Sequence, residues 1–489
     1  MVVGREYFRV TIKPYNDSST PKTMKWKQQR NLGDTNGGKW IEKGRAFSEA
    51  WQKVCGTQGI NTLLIPSGRV FMVKNIGLNG TCMATSINVQ LQGKIVAPAR
   101  DAWGSGSNLI IFHKVNGLTI DGTGGLIDGY GSTWWKCNHC ARPTLLTFES
   151  CNNLRVGNLT TSNSPKAHIH VNECMGVIFS YISISAPGNS PNTDGFDVYN
   201  SRYINIEDSI IATGKPSDDC IAISGDSSFI NATRIACGPG HGISIGSLGR
   251  NNARNIVEEV HVRNCSFTNT TNGARIKTWA TGSGYARKIT FEQINLMQTR
   301  NPIIINQHYI DYDDLAEEGG GGVRVSEVIY RGFQGTSWND KAITFNCSSS
   351  GCHNIVLDEI NIASSEPGNP RLSGQPLSLF QPAHPQRHCF DEKALFRHPP
   401  SLDSISIFQP SKRLIQHFHT LFHSPKNPQL FSFKQHKRSI LKHQFLRHEA
   451  TTAAASCNSC MQVVSSGIKW TCMRKTWQHL SKDLEIKSL

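Results

Sequence analysis

Short runs of β-branched and aromatic residues recur along the middle of the chain, separated by Gly, Asn, Ser and Pro. Aligned by character they are HIHV from His168, FDVY from Phe196, CIAI from Cys220, ISIG from Ile243, RIKT from Arg275 and IIIN from Ile303, starting 23 to 32 residues apart. Secondary apolar runs such as VIFSYISIS, INIEDSII and ARKITFEQINL fall between them, and no stretch between them carries a helical period. Such a recurrence is too regular for a sandwich and predicts an all-β solenoid, a parallel β-helix in which each coil lays short strands on those of the next. The ends of such a stack expose strand edges and need covering. In AFSEAWQKVC, Ala46, Phe47, Ala50, Trp51 and Val54 share one helical face, which predicts an N-terminal cap helix.

The texture divides the chain into an irregular polar segment (1–45), the solenoid (46–363), a tail rich in His and Pro (364–452) and a final stretch (453–489) that resumes a cap-like composition. The tail changes how the overall charge is read. The formal charge is +15, but the residues from Ser364 onward hold 17 Lys+Arg against 7 Asp+Glu, leaving +5 for residues 1–363. With no interleaved aromatic and basic motif, this points away from a nucleic-acid partner. Half of the eighteen histidines lie between His384 and His448 without regular spacing, which reads as solvated, poorly ordered chain rather than a metal tract. No segment is long and apolar enough to span a membrane, and the first twenty residues lack a signal-peptide core.

The fifteen cysteines are an odd number. Short spacings suggest bridges Cys55–Cys82, Cys220–Cys237 and Cys347–Cys352. The CxxC pairs Cys137/Cys140 and Cys457/Cys460 also read as disulfides rather than as a zinc knuckle. Seven Asn-x-Ser/Thr sequons add to a secretory composition.

The chemistry emerges from stacking. Strands in adjacent coils lie about 4.8 Å apart, so residues at matching places form columns. Asp194 precedes one repeat strand, Asp218 and Asp219 the next and His241 the third, while Arg275 and Lys277 sit on the fourth. Alone, Asp194 reads as an Asp-Gly turn, His241 as a turn between glycines, and Arg275 with Lys277 as a solvated face. Together they form three carboxylates, an imidazole and two cations within about three coils, which suits acid–base catalysis on an anionic substrate.

The segments SPNTDGFDVY, DDCIAI, CGPGHGISIGSLG and RIKTW resemble, in order and spacing, the signature segments of the polygalacturonases, glycoside hydrolase family 28. The likeness is strongest to plant members and extends over about residues 46–363 through AFSEAWQKVC, IDGYGSTWW and NPIIINQHY. The resemblance implies a right-handed parallel β-helix that hydrolyses α-1,4 links of pectic galacturonan with inversion and without a metal or other cofactor. It implies Asp218 as general acid, Asp194 and Asp219 as the residues that hold and activate water, and His241 as support for the acid or the substrate. Arg275, Lys277 and Asn192 would bind the sugar. It also implies a monomer secreted to the cell wall with pectin as its partner. A β-helix that binds pectate without cleaving it is the other reading, and pectate lyase, which normally needs calcium, is a third. Lys215, Pro216 and Ser217 look like an insertion between the family's Thr-Gly pair and its aspartates, either bulging harmlessly or displacing Asp218. The stretch 366–450 has no counterpart in the family, which suggests retained intron sequence or an imperfect reading frame.

Overall fold

In the computed structural model the structure describes residues 9–13, 22–25, 38–137, 140–214, 218–310, 322–365 and 379–380. The repeat builds a parallel β-helix. One short strand per coil joins an 11-stranded ladder that runs from Ile76–Asn79 through Phe196–Tyr199, Ile221–Ser224, Ile243–Leu248 and Asn272–Thr278 to Leu379–Phe380. The remaining strands form an 18-stranded sheet, parallel except at Arg9–Lys13 and Lys22–Lys25, which pair antiparallel to each other. Arg9–Lys13 also pairs antiparallel to Gly59–Ile65, covering the edge of the first coil. Crossovers between parallel strands of one sheet are right-handed, as the L-amino-acid twist requires.

Strand alternation places one row of each ladder strand inward. Ile221, Ile223, Ile243, Ile245, Ile276, Ile303 and Ile305 are all fully buried. An aromatic stack runs through the interior, from Trp51 against Phe112 at 5.4 Å to Phe148, Phe179 and finally Phe196. It ends at Phe196, two residues after Asp194, so the acidic coil rests on buried aromatic packing.

The cap is the α-helix Gly38–Cys55, with Phe47, Ala50, Trp51 and Val54 buried. It starts ahead of residue 46, inside the segment expected to be irregular, because a helix needs only one apolar face and its solvent side tolerates polar sequence. Trp51 Nε1 donates to the Asn79 carbonyl at 3.0 Å, and Asn61 Nδ2 donates to the Val54 and Thr57 carbonyls at the helix end. These bonds tie the cap to the first coils and satisfy orphan carbonyls. At the other end the ladder does not stop at 363. Leu379–Phe380 pairs in parallel with Ile343 and Thr344, inside the stretch expected to leave the solenoid. The remainder of 366–489 lies outside the described residues, as do Cys457, Cys460 and the histidine tract.

Among the described residues four disulfides form, Cys55–Cys82, Cys137–Cys140, Cys220–Cys237 and Cys347–Cys352. Among the described residues Cys151, Cys174 and Cys265 are free thiols, all buried in the core.

Candidate active site

The loops that enter the ladder strands carry the acidic residues, and backbone hydrogen bonds continue the stack through them. His168 N–H donates to the Asp194 carbonyl, Gly195 N–H to the Asp219 carbonyl, Cys220 N–H to the Gly242 carbonyl and His241 N–H to the Asp218 carbonyl. Asp194, Asp218, Asp219 and His241 therefore line one edge in three successive coils. Lys215, Pro216 and Ser217 lie outside the described residues. Their flanks are pinned, because Thr213 Oγ1 donates to the Asp218 carbonyl at 2.7 Å. Gly242 is required beside His241: its φ is +80°, and a Cβ there would meet the Asn272 carbonyl oxygen at 2.2 Å.

The two adjacent aspartates occupy opposite electrostatic settings. Asp218 is 1% exposed. One of its oxygens, Oδ2, accepts from Thr193 Oγ1 at 2.7 Å, and the other, Oδ1, is buried with no hydrogen-bond partner. Burial pushes its carboxyl up to about 7; hydrogen bonds from Thr193 and Asn192 oppose this and the Asp219 charge reinforces it. Asp219 is 3% exposed and fully partnered. Its Oδ1 accepts from Arg275 Nη2 at 2.6 Å and Ser244 Oγ at 2.9 Å, and its Oδ2 from Lys277 Nζ at 2.9 Å. Burial would raise its pKa, but Arg275, then Lys277 and His241, outweigh that and hold it at about 2. Asp194 Oδ1 accepts the Asp219 N–H at 2.6 Å, and burial, then the charges of Asp197, Asp219 and Asp218, raise its pKa well above the ordinary range. The cluster thus holds one anion, Asp219, beside two carboxyls that retain protons far more readily.

Arg275 and Lys277 do not occupy the loop edge with the carboxylates and His241. They stand on the strand itself, with Arg275 paired to Ser244, and reach back two coils to Asp219. Both are largely buried, and Lys277 also lies over the Tyr309 ring at 5.1 Å. Asn192 is exposed, and its Oδ1 accepts from Arg142.

A groove of about 510 Å³ opens along the preceding coils. Arg142, Glu149, Lys166, His170 and Asp197 are among the residues that line it. No group of three or more His, Cys, Asp or Glu side chains among the described residues is placed to hold a metal ion.

Residues 55–373 match the model of the glycosyl hydrolases family 28. The chain belongs to this family. It is a glycoside hydrolase, and its β-helix is one that related enzymes share. It is similar to a probable polygalacturonase of Arabidopsis thaliana, 46% identical over 68% of this chain and 74% of that protein. It is also similar to a polygalacturonase of Persea americana, 39% identical over 66% of this chain and 71% of that one. Among solved structures, the endo-xylogalacturonan hydrolase from Aspergillus tubingensis matches with a TM-score of 0.60 at 24% identity, covering 69% of this chain and 95% of that one. At that identity the likeness speaks for the fold alone.

Around the candidate site the structure adds residues that the repeat pattern did not single out. Ser244 and Asp197 both occupy the outward row of their strands, in the same column as Arg275, so strand alternation combined with coil register points to them. Asp197 lies 4.0 Å from His170 Nδ1; burial raises its pKa, and the His170 and Lys166 charges oppose that. Thr193 and Arg142 carried no sequence signal, because each acts through a neighbour from another coil.

Proposed function

We propose that this hydrolase cleaves α-1,4-galacturonosidic bonds of homogalacturonan, with inversion at the anomeric carbon and without a metal. The observation that carries the reading is the split setting of two neighbours on one loop: Asp218 is buried with one oxygen unpaired, which raises its pKa, while Asp219 is held by Arg275, Lys277 and Ser244, which lowers its pKa. Two carboxyls driven apart in this way supply an acid and an anion at the same pH. Asp218 protonates the glycosidic oxygen as the bond to the anomeric carbon breaks. Water attacks that carbon from the opposite face and passes its proton to Asp219, with Asp194 orienting the water. An inverting enzyme needs that water between its carboxyl groups. Arg275 and Lys277 hold Asp219 ionised and lie close enough to share their charge with a uronate carboxylate. His241 contributes positive charge beside Asp219. Lys166 of the groove extends contact along the polymer.

The relatives named polygalacturonase support the substrate class. Four disulfides fit an oxidising secretory route, with the cell wall as the place of action and a monomer as the working unit. No helix among the described residues is long and apolar enough to cross a membrane. The alternative, a β-helix that binds pectate without cutting it, requires the insertion at 215–217 to displace Asp218. The Thr213, His241 and Thr193 bonds to Asp218 speak against such a displacement. The test is release of reducing ends from polygalacturonic acid with chelator present, together with proton NMR of the nascent end. Release of the β anomer, absent in Asp218→Asn, supports the proposal. An unsaturated, ultraviolet-absorbing product, or binding without cleavage, overturns it.

A further inference from the structure

Arg142 lies in the segment that leads into Thr144–Glu149, three coils ahead of the acid. Its guanidinium bridges the edges of later coils. Nη1 donates to the Pro165 carbonyl at 3.3 Å and to the Pro191 carbonyl, and Nη2 donates to Asn192 Oδ1. The segment it seizes is the one that holds the acid. Thr193 Oγ1 donates to Asp218 Oδ2 at 2.7 Å, and the backbone at Asn192 and Thr193 also hydrogen-bonds the carboxyl. Thr193 Oγ1 is fixed in turn by Ser190 Oγ at 2.8 Å and lies 3.1 Å from the Thr213 carbonyl. Asn192 takes a left-handed backbone, φ +55°, a turn conformation that asparagine tolerates and that sets the direction of these donors.

The geometry points to Arg142 as a positioning residue for catalysis, a planar clamp that holds the Pro191–Thr193 turn so that its donors keep Asp218 in one pose and one range of acidity. This rests on the reading of Asp218 as general acid. A guanidinium suits the task because its flat fork reaches several acceptors at fixed angles, which a lysine ammonium does not. The groups that face Asp218 are Asp194 and Asp219 on the loop edge, His241, Arg275 and Lys277 behind Asp219, and Arg142 across the groove. At Asp218 the Arg142 charge is small beside burial and the turn's hydrogen bonds. The main consequence of losing the clamp is therefore loss of those donors. They favour the ionised carboxylate, so their loss moves the acid to higher pKa and loosens its pose.

The test compares wild type with Arg142→Ala, Arg142→Lys and Asn192→Gly on polygalacturonic acid, measuring kcat, KM and the full pH profile. The last variant keeps the left-handed turn and deletes only the acceptor, on an exposed residue, so it reads the clamp even where Arg142→Ala fails to fold. Expected are a kcat loss of about 10- to 100-fold in both Arg142 variants, a smaller loss in Asn192→Gly, KM within about threefold, and a basic limb moved to higher pH in all three. A KM rise with kcat and the basic limb unchanged would make Arg142 a substrate-binding group and overturn the proposal, as would full rescue by lysine. Asp218→Asn separates the two levels. If that variant is inactive while the clamp variants behave as wild type, the clamp fails and the acid assignment stands. If it is active, the acid assignment fails first.

Discussion

Replacing Asp218 by asparagine should remove turnover and at the same time stabilise the protein at neutral pH. Burial, partly offset by Thr193 and aided by the Asp219 charge, places the folded Asp218 at about 7. An aspartate in the unfolded chain titrates near 3.9. The folded pKa lies above the unfolded one, so the folded state retains a proton that the unfolded state gives up. Stability is therefore fullest below about pH 4 and falls as pH rises through the window from about 4 to about 7. Three pKa units at about 1.4 kcal/mol each set the penalty at on the order of 4 kcal/mol by pH 8, an upper figure for a carboxylate beside another charge. Asparagine cannot ionise, and it keeps an oxygen for the Thr193 hydroxyl. Asp219 has the opposite sign. Its folded value of about 2 lies below the unfolded one, so its contribution is present above about pH 4 and is lost as pH falls towards 2. That term is common to both proteins and cancels in their difference. The assay is urea unfolding followed by tryptophan fluorescence at pH 4, 6 and 8, with sugar release measured in parallel. The two proteins should match at pH 4, and the variant should lead by a few kcal/mol at pH 8. Parallel stability curves across that range would show that Asp218 titrates normally and would refute both the burial argument and the acid role.

Lys277→Ala leaves the buried Asp219 carboxylate short of a partner. It should cost about 3–5 kcal/mol of stability and carry the acidic limb of activity to higher pH, which a pH–rate profile beside denaturant titration will show. Breaking Cys220–Cys237 with paired serines should cost about 3 kcal/mol, a difference that disappears when wild type is unfolded in reductant. Phe179→Ala opens the aromatic stack beneath the acidic coil and should lower stability by about 3–5 kcal/mol while leaving the shape of the pH profile alone. Incubation with EDTA should change neither the rate nor the product.

The chain by itself determined the solenoid, because a repeat of strand runs separated by turns is a local pattern that can be buried only by stacking on its neighbours. It also determined which coils carry the candidate site. Asp194, Asp218, Asp219 and His241 precede consecutive strands, and coil order follows chain order. The bridges Cys55–Cys82, Cys220–Cys237 and Cys347–Cys352 were legible from their short spacings and are formed. Where the elements begin and end was less legible. The cap helix starts at Gly38, since one buried face is enough to recruit polar sequence into a helix, and the ladder reaches Phe380, since a parallel strand continues the backbone hydrogen bonds of the coil before it. The different electrostatic settings of Asp218 and Asp219 were decided only in three dimensions. They are neighbours of identical chemistry, yet one faces Thr193 with an oxygen left unpaired, while the other meets Arg275, Lys277 and Ser244 from later coils. Acidity depends on lost hydration and on charges within a few ångströms, and the charges paired with Asp219 come from residues 56 and 58 positions away. The same holds for Arg142, which meets Asn192 from 50 positions away. A sequence lists such side chains in order, but coil register alone decides which of them touch.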